Sequence, residues 1–288
     1  MSKQPHVDAF FDPTTSTLSY VVHDPATLSA AIIDPVLDFS LRNARTSTGS
    51  ADALLEHVAA KGLKLSWLLE THAHADHLSA SHYLREKTGA PIVISSDIVK
   101  VQEGFIALFE ADDVAPDGSQ FDRLVDEGDA LRLGDIDIHV LHTPGHTPAC
   151  VTYLIGDAAF VGDTLFMPDY GTARSDFPGG SAEHLYHSIR KILALPGQTR
   201  MFVGHDYLPE GRRDFRWETS VAEQNASNIH IHHAVSAANF IAMRQARDAQ
   251  LEPPLLILPS LQVNIRAGAL PPATENGHVY LRLPVNTI

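Results

Sequence analysis

Between positions 71 and 77 the chain reads THAHADH, which places His72, His74, Asp76 and His77 within six residues. Three more metal-capable side chains stand where apolar runs stop: His146 in TPGHT, Asp163 in VGDTL and His205 in VGHDY. Each follows a glycine (Gly145, Gly162 or Gly204) that lets the backbone carry its neighbour inward. Neutral imidazole and carboxylate suit zinc or iron better than calcium or magnesium, and the absence of nearby cysteines argues against a closed structural zinc site. Four donors so close together cannot all serve one ion. His72 and His74 can face one position, while Asp76 and His77 turn toward a second at the start of the following helix.

Two metal counts are compatible with this set. In a dinuclear arrangement His72, His74 and His146 hold one zinc, Asp76, His77 and His205 hold another, and Asp163 bridges them. A hydroxide between the ions then attacks an ester, thioester or lactam carbonyl. In a mononuclear arrangement His72, His146 and Asp163 form a two-histidine, one-carboxylate face, leaving three positions of a ferrous ion open for substrate and dioxygen. The ligand types alone do not choose between them.

To bring these side chains together, several strands must end at one edge of a sheet. The first third of the chain reads as strand, strand, helix, strand: LSYVVHD, AAIIDP, ADALLEHVAAKG and LSWLLE, with THAHADH directly after the last. A helix over SASHYLREKTG is predicted to end at Gly89, before a strand at PIVIS. The middle third reads mostly as strand, in LRLGDIDIHVLHT, CVTYLIGD and AAFVGD. A helix over AEHLYHSIRKILAL and a strand over RMFVGHD follow, then helices over WETSVAEQNASNIHI and SAANFIAMRQARDA and a Pro-rich tail with a strand-like LQVNIRAG. Early alternation and later consecutive strands predict an α/β fold of mixed sheets with helices outside. A single domain over 1–288 is expected, with a core at about 8–210 and C-terminal helices and tail at about 211–288.

Composition narrows the partners. A net charge of −14, from 21 basic and 35 acidic residues, argues against nucleic acid or an anionic membrane, so an anionic substrate must be held by a few local arginines. The apolar stretches LSWLL and PLLIL fall far short of the roughly 18 to 20 residues that cross a bilayer, and MSKQPHVDAF has no apolar core of a signal peptide. The single Cys150, in apolar ACVTYL, reads as a buried thiol and fits a reducing cytoplasm. Of the 17 histidines, His23, His57, His82, His139, His142, His184, His187 and His278 read as structural, and His230, His232 and His233 as an exposed helix end. The apolar C-terminal tail could support a homodimer.

H-x-H-x-D-H followed by His, Asp and His at strand ends resembles the metallo-β-lactamase superfamily over positions 72–205. The resemblance implies a four-layer αβ/βα sandwich with its metal site at one rim. DYGTARSDFPGG at 169–180, HDY at 205–207 and VNIRAG at 263–268 are similar to the persulfide dioxygenase branch, including bacterial members labelled β-lactamase-like hydrolases. The thioesterase relative, glyoxalase II, shares the metal motif but carries a larger helical C-terminal domain with basic residues that hold glutathione. What the branch implies is one Fe(II) on His72, His146 and Asp163, and oxidation of glutathione persulfide by O2 to sulfite and glutathione in sulfide detoxification; two zinc ions and a thioesterase remain the alternative. His74, Asp76, His77 and His205 would then orient the ligands and bond metal-bound water or oxygen, with Tyr207 presenting its phenol to the pocket. Arg174 is expected to bind a glutathione carboxylate or to pair with Asp176, and Arg266 is a second candidate for the carboxylate. Ala173 and Ala267 stand where members of the branch can have cysteines, which puts thiol-based regulation there in doubt.

Overall fold

The computed structural model describes residues 4–287. In chain order the first half forms β1 (His6–Asp12), β2 (Thr17–His23), β3 (Ser29–Ile33), β4 (Val36–Ser40), β5 (Arg45–Ser47) and α1 (Gly49–Ala60). It continues with β6 (Lys64–Leu69), β7 (Leu78–Ser79), α2 (Ser81–Thr88), β8 (Ile92–Ser95), α3 (Ile98–Phe109) and β9 (Arg123–Val125). Six of these strands make one sheet in the order β1-β2-β3-β6-β8-β9, and β5-β4-β7 make a small second one. The parallel steps β3–β6, β6–β8 and β8–β9 are bridged by α1, α2 and α3, the crossover arrangement that puts helices on a sheet face.

Side-chain alternation then divides the core. Leu18, Tyr20 and Val22 of β2, Ala31 and Ile33 of β3 and Leu69 of β6 face the second large sheet, whereas Val21, Ala30, Ile32 and Leu68 face α1, α2 and α3, as a period of two requires. The second half comprises β10 (Ala130–Leu133), β11 (Ile136–His142), β12 (Val151–Ile155), β13 (Ala158–Phe160), α4 (Ala182–Leu193), β14 (Arg200–Phe202), β15 (Glu218–Ser220), α5 (Val221–Ser227), α6 (Ala237–Asp248) and α7 (Ile257–Asn264). Its strands form a six-stranded sheet in chain order, whose Ile138, Val140, Tyr153 and Phe160 meet β2 and β3 across the interior. Leu185, Ile189 and Ile192 of α4 join the same cluster, and the Ser181 hydroxyl caps α4 by accepting from the His184 N–H, a contact of about 1 kcal/mol. The result is the metallo-β-lactamase sandwich, helices outside two facing sheets.

Several local readings are corrected. The middle third contains α3, whose apolar, β-branched sequence IVKVQEGFIALF buries Ile98, Val101, Phe105 and Phe109 against the first sheet. VNIRAG is not a strand: Val263 and Asn264 close α7, with Pro259 tolerated in its first turn. WETSVAEQNASNIHI opens as strand β15 and is helical only over Val221–Ser227. His230, expected at an exposed helix end, is buried in the turn beyond it. Among the described residues no helix is long and apolar enough to cross a membrane.

Candidate metal centre

β6, β11, β13 and β14 end at the same rim, and the loops that leave them carry the donors. His72, His146 and Asp163 can bring one ligand atom each within 4.8 Å of the others, and so can Asp76, Asp163 and His205, and His74, Asp76 and His77. All seven residues singled out in the sequence therefore lie around one centre. Asp163 Oδ2 lies 3.9 Å from His72 Nε2 and 3.7 Å from His146 Nε2. An ion bonded at about 2.0–2.2 Å to each needs donors within about 4.4 Å of one another.

Glycine makes this approach possible at two places. A Cβ on Gly204 would stand 2.6 Å from Asp163 Oδ1, and one on Gly162, whose φ is +49°, would stand 2.5 Å from Thr71 Oγ1. Neither position admits a side chain without moving the loop.

Each imidazole is fixed from outside by its other nitrogen. The Thr71 hydroxyl donates to Asp34 Oδ2 (2.8 Å) and so accepts from His72 Nδ1 (3.0 Å). His146 Nδ1 donates to the Arg174 carbonyl at 2.8 Å, His77 Nδ1 to the Leu78 carbonyl at 3.1 Å and His205 Nδ1 to the Ser16 carbonyl at 3.2 Å. His74 is reversed: its Nε2 lies 3.1 Å from Asp34 Oδ1 and 3.2 Å from Glu70 Oε2. The inward nitrogens His72 Nε2, His74 Nδ1 and His77 Nε2 are buried without a hydrogen-bond partner. Bare basic nitrogens facing carboxylates, with second nitrogens anchored, are the donor chemistry of a bound transition metal, and the residues fit one.

Electrostatics separate the histidines. Burial and the adjacent His74 ring push the His72 pKa well below the usual range, and burial and His74 also lower His77. Burial opposes charge on His74 too, but Asp34 and Glu70 overcome it and raise that pKa well above the usual value. His205 is pushed up to about 9, since Asp163 and Asp76, each 3.2 Å from its Nε2, outweigh burial. Asp163 is held well below the usual carboxylate range because His205, His72 and His146 outweigh its burial.

The rim opens into a cleft of about 1040 Å³ lined by Asp76, His77, Tyr207 and Arg174 and walled by the β4–β5 hairpin and the 252–256 segment. The Tyr207 ring stacks on His205 at 5.4 Å and is 39% exposed. Arg174 pairs with Asp176 through Nε and Nη2 (2.6 and 2.7 Å) and donates from Nη1 to the Glu252 carbonyl. Its side chain is thus held on the cleft wall while its own carbonyl aligns His146. Arg266 is not brought to the cleft: its guanidinium binds both oxygens of Asp113 and the Gln262 carbonyl. Residues unnoticed in the sequence complete the site, above all Asp34, Glu70 and Asn264. Asn264 donates to the His74 and His77 carbonyls and accepts from the Ser79 N–H, all at 2.8 Å.

Two facing sheets with H-x-H-x-D-H at their rim define a metal-dependent enzyme of the metallo-β-lactamase type. The metallo-beta-lactamase superfamily pattern matches residues 13–205, and the chain belongs to that superfamily. It is 52% identical to a probable metallo-hydrolase of Burkholderia pseudomallei over 98% of this chain and 99% of that one. It is 50% identical to a beta-lactamase hydrolase-like protein of Xylella fastidiosa, covering 99% of this chain but 65% of the relative's length. Glyoxylase B2 of Dictyostelium discoideum is 45% identical over 99% of both chains. The human mitochondrial persulfide dioxygenase ETHE1 is 34% identical over 68% of this chain and 66% of its own. The crystal structure of ETHE1 from Myxococcus xanthus superposes with a TM-score of 0.74 at 34% identity, covering 92% of this chain and 100% of that one. The likeness to ETHE1 supports the persulfide dioxygenase branch.

Proposed function

We propose that the protein is a mononuclear iron persulfide dioxygenase in which His72, His146 and Asp163 hold one Fe(II). Glutathione persulfide, O2 and water would give glutathione and sulfite, the terminal sulfur losing four electrons to dioxygen. The single observation that carries the reading is the convergence of His72, His146 and Asp163 as a two-histidine, one-carboxylate face. The likeness to ETHE1 supports the substrate class. The ion, when bound, supplies adjacent positions for an anionic sulfur and dioxygen.

The chain's own part is to orient and to exclude. Asp34, through Thr71, and the Arg174 carbonyl fix His72 and His146, so the ligand face is set before substrate arrives. His205, between Asp76 and Asp163, offers a proton on Nε2 beside the reacting groups, and Tyr207 closes over it from the cleft. The buried Cys150, its thiol pushed up to about 12 by burial, stays out of the chemistry and fits a cytoplasmic enzyme.

A dinuclear zinc thioesterase is the second reading, favoured by the additional set Asp76, Asp163 and His205 and by the Dictyostelium relative named glyoxylase B2. Metal analysis of protein purified without added metal decides between them. Close to one iron per chain, with O2 uptake on adding glutathione persulfide, is the expected result; close to two zincs, with thioester hydrolysis and no O2 uptake, overturns it.

A further inference from the structure

The arginines that the sequence suggested for substrate are already engaged, which leaves the question of what meets an anionic ligand at the cleft. Two other arginines line it: Arg42, in the turn at 41–44 of the β4–β5 hairpin, and Arg45, the first residue of β5. Both are exposed, and neither has a carboxylate or carbonyl partner among the described residues. The acids beside them are tied elsewhere. Asp12 accepts from the Thr14 and Thr15 backbone, and Asp38 from the hydroxyls of Ser47 and Ser50 and the Ser50 N–H. Both guanidinium groups therefore keep their donors available at the cleft mouth, and a carboxylate is the partner that their planar fork matches.

The hairpin is also coupled to the metal loop. Leu37 of β4 pairs with Leu78, the residue after His77, and Ser40 pairs with Arg45. Three residues of extended strand therefore separate the metal loop from the arginine position, about 10 Å. An extended tripeptide spans about 10 Å as well.

We propose that Arg42 and Arg45 bind the carboxylates of a peptide-sized thiol ligand and set specificity for it, placing its sulfur at the metal centre. Glutathione carries two carboxylates and one ammonium. The cleft offers the complementary set, because Glu252, which also lines it, has an exposed carboxylate with no partner among the described residues. The choice of thiol rests on the reading of the previous section; the capture of carboxylates does not require oxygen chemistry.

The test uses the metal-loaded full chain and S-methylglutathione, which cannot form a persulfide. By titration calorimetry the Arg42→Gln, Arg45→Gln double variant should bind it about tenfold more weakly than the unsubstituted protein. The dimethyl ester of the same ligand should bind the unsubstituted protein as weakly as the free acid binds the variant. Equal affinities of variant and unsubstituted protein, or of acid and ester, or no binding at all, overturn the proposal. With glutathione persulfide KM should rise about tenfold at nearly constant kcat, and a fall in kcat alone would contradict it. The two readings fail separately. Binding differences without O2 uptake remove the oxygenase and leave the carboxylate site, whereas O2 uptake with no binding difference removes the carboxylate site alone.

Discussion

Two regions of this molecule are rich in histidine, and only one is built as a metal centre. At the rim, His72, His74, His77, His146 and His205 each fix one ring nitrogen to an outer acceptor and turn the other toward Asp76 and Asp163. In the segment 230–233 the same residue type does something else. His230 Nδ1 accepts from the Thr172 N–H and lies where a Cβ on Gly171 would be, so it packs one segment against another. His233 Nδ1 donates to the Asn225 carbonyl, and among the described residues no candidate metal group includes any of the three rings. Density of histidine is therefore a poor guide; convergence of bare nitrogens with an acid is the informative feature.

The sharpest way to break this comparison is to remove one histidine from each region. His146→Ala should empty the centre and abolish activity, while His233→Ala should leave metal content unchanged by elemental analysis. Next in size, Gly204→Ala forces a methyl group to within 2.6 Å of Asp163 Oδ1 and should lower metal occupancy severely, although no ligand is altered. Retained occupancy would show that the loop yields more easily than its geometry implies. Asn264→Ala leaves two buried carbonyls and one N–H unpaired, at roughly 1–3 kcal/mol each. It should weaken metal binding about 10–100-fold in a chelator competition. Asp76→Ala should reduce turnover while one equivalent of iron remains; loss of a second ion would favour the zinc reading.

The smallest effect concerns His230. Burial, with Arg244 nearby, lowers its pKa to about 4, whereas in the unfolded chain it titrates near 6.5. The unfolded state thus takes up a proton between about 6.5 and about 4 that the folded state refuses, so this stabilisation is complete above about 6.5 and declines as pH falls through the window. The melting temperature of His230→Gln should show less acid sensitivity there than that of the unsubstituted protein. Parallel curves would sink this assignment.

The donors were legible in the sequence because ligand types recur at strand ends after glycine, and β2, β3, β6 and β8 because their apolar runs are short and bounded. What holds the donors was not legible. His74 is held by Asp34 and Glu70, His72 by a Thr71 hydroxyl that Asp34 orients, and His205 by Ser16, and only folding brings Ser16 to a ring 189 residues away. α3 was missed because its β-branched and aromatic residues pack on a sheet whose position no local pattern reveals. The strand-like look of VNIRAG came from Val263 and Ile265 alternating with polar neighbours, whereas burial on several sides of α7 accommodates both kinds. Arg174 and Arg266 stood out as cations, but charge alone does not show that Asp176 and Asp113 already accept their donors.

The amide of Asn264 reaches a loop 190 residues earlier in the chain. The carbonyl scaffold of His74 and His77 is therefore complete only once α7 has docked, which makes the far end of the chain a part of the metal centre.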